Sequence, residues 1–196
     1  GLARPAHAVT VERKEAVVML TLDVSKSMSA TDVSPTRLAA AQAAAKEFIE
    51  SAPEGYRIGL VTFDAKAHTV ASPTTDRAEL LAAFDALEPG KGTAGGDGLT
   101  TAVDVLEADA TAKATAAEDD TYRAIILLAD GDNTTGTSLA EAAKGAAEAK
   151  IPVFTIAYGT DDATIVVDGK TMDAGADTAA IAQVAEATGG TDYTAS

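Results

Sequence analysis

Five oxygen-bearing residues stand out by type and position: Asp23, Ser25 and Ser27 in "LDVSKSM", Thr93 in "GKGTAGG", and Asp130 in "LLADGDN". Two carboxylates and three hydroxyls, with no histidine or cysteine among them, make an all-oxygen set. Such a set suits a hard divalent cation. Mg²⁺ keeps several waters in an octahedral shell at about 2.0–2.1 Å, whereas Ca²⁺ takes more ligands, so the few carboxylates favour Mg²⁺ or Mn²⁺ over Ca²⁺. Incomplete neutralisation would leave the ion electrophilic, and a carboxylate from outside would be its chemical match.

Neighbouring polar stretches read differently. Asp132 and Asn133 fit an ordinary turn, and Asp97 fits a cap for the helix that follows it. "DGDN" lacks the glutamate that an EF-hand loop needs at its far end, because Glu141 belongs to a helix cap. "GKGTAGG" does not complete G-x-x-x-x-G-K-[ST], which argues against a phosphate-binding loop. His7 and His68 are far apart and have no ligand-like neighbours, so both are expected at the surface. The chain has no cysteine, which excludes disulfides, thiolate metal sites and cysteine nucleophiles.

For the five residues to meet, loops at one end of a sheet must carry them. Residues 16–22, 57–63, 123–129 and 152–158 are continuous apolar runs of the kind that form strands buried on both faces. Helical patterns lie between them. Ser34 is expected to cap a helix with Pro35 in its first turn and Leu38, Ala41, Ala45, Phe48 and Ile49 on its inner face. Asp76 and Glu79 form a capping box ahead of Leu80, Leu81, Phe84 and Leu87. Leu99, Val103 and Leu106 mark a third helix that trails into an exposed end and loop at 107–120, and Ser138 with Glu141 opens a fourth that ends near Lys150. Ile181, Val184 and Ala185 mark the last, stopped by Gly189-Gly190 before a short strand at 191–195. Residues 66–71 read as an edge strand after a two-residue turn, and Asp168-Gly169 as the turn of a hairpin within 163–173.

This alternation predicts one α/β domain over 1–196, with 1–15 as a lead-in. The expected architecture is a doubly wound, Rossmann-like three-layer sandwich: a mainly parallel central sheet, one antiparallel edge strand, and helices on both faces. In such sheets ligands bind outside the carboxyl ends of the strands, where the strand order reverses. Asp23 and Asp130 each lie at or just past the end of a strand. The formal net charge of −15 opposes binding to nucleic acid or anionic lipid. No apolar run approaches the roughly 18–20 residues that span a bilayer, and the N-terminus lacks a signal-peptide pattern.

The run Asp23-Val24-Ser25-Lys26-Ser27 matches the D-x-S-x-S signature of von Willebrand factor type A domains and so resembles their metal-ion-dependent adhesion site. Thr93 resembles the family's separate threonine and Asp130 its distal aspartate. The resemblance implies that Ser25 and Ser27 ligate the metal directly, Thr93 directly or through water, and Asp23 and Asp130 largely through water. A partner's Glu or Asp would complete the shell.

More narrowly, "LARP", "VVMLTLDVSKSMSATDVSPTRLAAAQAAAKEFI", "SPTTDR", "GTAGGDGLTTAV" and "AEATGGTDYTA" resemble a bacterial membrane-anchored subgroup associated with aerotolerance-type operons. Its members carry transmembrane segments before and after this domain. That likeness implies a soluble excerpt of a protein at the bacterial cell membrane, on either face, acting as a non-enzymatic interaction module. Gly95-Gly96 departs from the bulky apolar residue of many relatives, which predicts a permissive Thr93 loop. Two alternatives are a metal-dependent hydrolase using Asp23, weakened because Ser25 replaces the usual second aspartate, and a structural assembly subunit of a membrane complex.

Overall fold

The computed structural model describes residues 15–113, 120–167 and 169–195. Strand β1 (Ala16–Asp23) is buried along its whole length because alternate side chains feed two separate cores. Val17 and Met19 enter one, and Val18, Leu20 and Leu22 the other. It is flanked in parallel by β2 (Arg57–Phe63) and β4 (Tyr122–Ala129). Beyond β2 lies the antiparallel edge strand β3 (Ala67–Thr74), and beyond β4 lie β5 (Val153–Tyr158) and β8 (Asp192–Ala195), both parallel. The sheet order is therefore β3-β2-β1-β4-β5-β8. β6 (Thr164–Val167) and β7 (Lys170–Asp173) form a separate antiparallel hairpin, as the sequence predicts; Asp168 of its turn lies outside the described residues.

Helices α1 (Arg37–Ser51) and α2 (Arg77–Asp85) cover one face with Leu38, Ala45, Ile49, Leu80 and Phe84. Helices α3 (Gly95–Lys113), α4 (Leu139–Glu148) and α5 (Thr178–Thr188) cover the other with Leu99, Val103, Ala143, Ile181 and Val184. Each large apolar side chain so buried contributes about 1.5–3 kcal/mol. The α1 face is less completely covered over β4, β5 and β8, where Phe48, Tyr56, Phe154, Ile156 and Tyr193 line an apolar groove of about 310 Å³. Among the described residues, no helix is long and apolar enough to cross a membrane.

The predicted caps at Asp76 and Ser138 form: each side chain accepts the N–H three residues on, at 3.0 and 3.2 Å. Two expectations need correcting. Helix α1 is capped by Thr36, whose Oγ1 accepts the Ala39 N–H at 3.1 Å, while Ser34 and Pro35 stay outside. The extended backbone of Thr36 and the bond from Arg37 N–H to the Ala30 carbonyl fix the later start. Asp97 lies inside the first turn of α3 instead of capping it, and its carboxylate accepts the Thr137 N–H at 2.9 Å, tying α3 to the loop after β4. The lead-in residues 1–14, His7 among them, lie outside the described residues, as do residues 114–119 of the expected loop. His68 is exposed, as expected.

Candidate metal centre

From β1 the chain runs outward through β2 and β3, then returns on the other side of β1 as β4, so the strand order reverses between β1 and β4. That crossover opens a crevice at the carboxyl ends of the two strands. The register pairs Leu22 with Leu128, which brings Asp23 and Asp130 out of adjacent strands at nearly the same level. Both are fully buried.

Asp23 Oδ1 accepts the Ser25 N–H at 2.7 Å, while its buried Oδ2 has no hydrogen-bond partner. Burial, and next the nearby Asp130 charge, push the Asp23 pKa well above the ordinary carboxylate value, and the bonds from Ser25 offset only part of this. A 3₁₀ turn, Lys26–Ser29, then folds Ser27 back toward Ser25, bringing their hydroxyls within 2.9 Å. Ser25 is buried and Ser27 half-buried.

Thr93 enters on a third loop, and this loop is stitched to the other two. Gly90 N–H donates to the Val24 carbonyl at 2.6 Å, and Thr134 and Thr135 N–H donate to the Thr93 carbonyl at 2.8 and 3.1 Å. Thr93 N–H in turn donates to Thr134 Oγ1 at 3.0 Å, and Thr93 is buried. The expectation of a permissive loop gives way here. Gly95 and Gly96 are buried in the first turn of α3, where Gly96 N–H donates to Asn133 Oδ1 at 3.1 Å. A Cβ at Gly96 would overlap the Thr137 carbonyl, so close approach is what requires a glycine there. Asn133 also donates from Nδ2 to the Thr137 carbonyl at 3.0 Å, which makes it a turn residue, as predicted. Asp132 donates its N–H to Asp130 Oδ1 at 3.2 Å, and burial followed by the Asp130 charge raises its pKa.

The sequence reading missed Arg37. Its fully buried guanidinium donates to both Asp32 oxygens, at 2.8 and 2.7 Å, and to Asp130 Oδ2 at 3.1 Å. Burial opposes the Arg37 charge, but Asp32 and Asp130 outweigh it and leave its pKa raised. The same bonds hold Asp32 down at about 2. Asp32 Oδ2 also accepts the Thr160 N–H at 2.8 Å, and Gly159, at φ 111°, leaves the room that the guanidinium fills. A signal was present in the sequence: Arg37 stands four residues before Ala41 and eight before Ala45, in phase with the buried side of α1.

Among the described residues, no three His, Cys, Asp or Glu side chains cluster so as to hold a metal by themselves. What gathers at the crevice is one partnerless carboxylate oxygen beside two paired hydroxyls. A hard cation that retains much of its water fits this set. Asp130 Oδ2 is engaged by Arg37, so Asp130 does not offer both oxygens freely.

A doubly wound α/β sheet with a D-x-S-x-S loop at its switch point has the architecture of an adhesion-type domain. Residues 18–133 match the von Willebrand factor type A domain, and the chain belongs to that family. A UPF0353 protein of Mycolicibacterium vanbaalenii is 36% identical over 204 residues, covering all of this chain and 60% of that protein. The chain thus spans about 60% of the length of the curated relatives it matches. The structure of the conserved hypothetical protein BatB of Bacteroides thetaiotaomicron is similar at 25% identity and a TM-score of 0.78, over 91% of this chain and 89% of that one. An aerotolerance-related membrane protein of Bacteroides fragilis, with multiple mutations to serine, shares the fold at 24% identity and a TM-score of 0.80, over 92% of each chain.

Proposed function

We propose that the domain is a divalent-cation-dependent protein-interaction module and not an enzyme. The observation that carries this reading is the buried Asp23 Oδ2, partnerless beside the paired Ser25 and Ser27 hydroxyls. Leaving a buried polar atom unsatisfied costs about 1–3 kcal/mol, and a cation would remove that cost. In this proposal Ser25 and Ser27 offer their hydroxyl oxygens, Thr93 offers a third, and Asp23 and Asp130 act largely through water. When bound, the ion, Mg²⁺ or Mn²⁺ in preference to Ca²⁺, supplies an electrophilic centre for a Glu or Asp carboxylate of a protein partner. The three loops hold their oxygens in place through the backbone bonds at Val24 and Thr93.

The similarity to BatB and to an aerotolerance-related membrane protein supports placing this single domain, over 1–196, in a membrane-anchored bacterial protein. Calorimetric titration of Mg²⁺, Mn²⁺ and Ca²⁺ into chelator-stripped protein tests the reading. Saturable binding that Ser25→Ala and Asp23→Ala each weaken is expected. Binding that both variants leave intact would place the ion elsewhere and end the proposal.

A further inference from the structure

The hairpin of β6 and β7 stands apart from the main sheet, and the 3₁₀ turn of the metal loop faces it across a groove. The groove has a volume of about 460 Å³. Its lining includes the turn from Lys26 to Thr31, Pro89, and the successive residues Thr164, Ile165 and Val166. Successive strand residues point to opposite faces, so three in a row can line one groove only if the strand presents its backbone edge to it. That edge of β6 pairs with no strand among the described residues. Val166 is 72% exposed and Met172 51% exposed. The only charged side chain lining the groove is Lys26, a cation in a chain of net charge −15, and it sits between the two serines of the candidate metal centre.

The hairpin is fixed to that centre by a continuous chain of bonds. Ala174 N–H donates to the Ala163 carbonyl at 2.9 Å and closes its base, and Ala176 N–H donates to the Thr160 carbonyl at 3.0 Å. Thr160 N–H reaches Asp32, which holds Arg37, which holds Asp130. A ligand lying along β6 is therefore held in one position relative to the metal loop.

We propose that this groove seats the partner as an extended acidic segment. It pairs its backbone with the free edge of β6 in the manner of an added strand, and its Asp or Glu reaches past Lys26 to the metal. This rests on the cation-dependent reading above. It adds that the partner presents an unfolded or edge-strand segment and not a helix, and that the hairpin sets the affinity.

The probes are acetate and a pool of capped heptapeptides with a central Asp flanked by random Val, Thr, Ser and Ile. Both are titrated into ¹⁵N-labelled, Mg²⁺-saturated protein and followed by NMR. The peptides are expected to shift the amides of Lys26–Thr31 and Thr164–Val166 and to bind about tenfold or more tighter than acetate, because strand pairing adds main-chain hydrogen bonds. Replacing 164–173 with a two-residue Gly-containing turn, across the Ala163–Ala174 bond already present, should remove that advantage while Mg²⁺ affinity stays unchanged. Lys26→Glu, which leaves the hairpin intact, should weaken the peptides more than acetate. Peptides that bind no tighter than acetate, or equally well without the hairpin, overturn the inference and leave the metal reading standing. Peptide shifts at Thr164–Val166 that survive chelation keep the groove and overturn the metal reading instead.

Discussion

Asp23 is a source of instability until something positive meets it. Its folded pKa is raised, so the stability tied to its proton is present below the ordinary value of 3.8 and is lost as pH rises through the folded value. Asp32 works in the opposite sense: its stabilisation is present above 3.8 and is lost as pH falls through about 2. In chelator, Asp23→Asn should therefore raise stability at pH 7 by about 1–3 kcal/mol and flatten the decline between pH 4 and 7, as read by thermal unfolding. A variant that melts below the parent at pH 7 contradicts this account. At this scale the serines and Asp23 were legible because their spacing is local, and Asp130 because it follows an unmistakable strand. Arg37 and Asp32 were not: Arg37 meets Asp130 across 93 residues of chain, and only the helical phase of Arg37 hinted at burial.

Among the elements, the first turn of α3 decides where Thr93 sits. It lies against the loop after β4 with no room for a side chain at Gly96, and three side-chain bonds, from Asn133, Asp97 and Thr134, cross that seam. Gly96→Ala should cost about 1–3 kcal/mol by overpacking, read in chemical denaturation. It should also speed hydrogen exchange at the Thr134 amide, whose acceptor is Thr93. Unchanged stability would mean that the helix shifts at no cost. The strands, their order of appearance and most caps were readable from apolar runs and capping residues. The glycine pair misled because the same residue type serves both loose loops and tight contacts, and only the neighbour that approaches distinguishes them.

Over the whole molecule, thirty acidic against fifteen basic residues make the folded state repel itself. Raising ionic strength from about 0.01 to 0.15 M shortens the screening length from about 30 to about 8 Å. The metal-free melting temperature should rise across that range in a salt such as sodium chloride, and a fall would show that attractive pairs such as Arg57 with Asp109 dominate instead. The apolar runs of β4 and β5 predicted burial on both faces, yet Tyr122 and Tyr193 remain about half exposed, since a strand's composition does not say whether a helix lies over each end of it. The room that Gly159 leaves for Arg37 has a bearing on descent. A side chain at 159 is excluded while the guanidinium is there, and loss of the guanidinium first strands Asp130 without its cation, at a cost of about 3–5 kcal/mol. Neither change can come first without a less stable intermediate, so lineages from this sequence should keep both residues or replace the pair together.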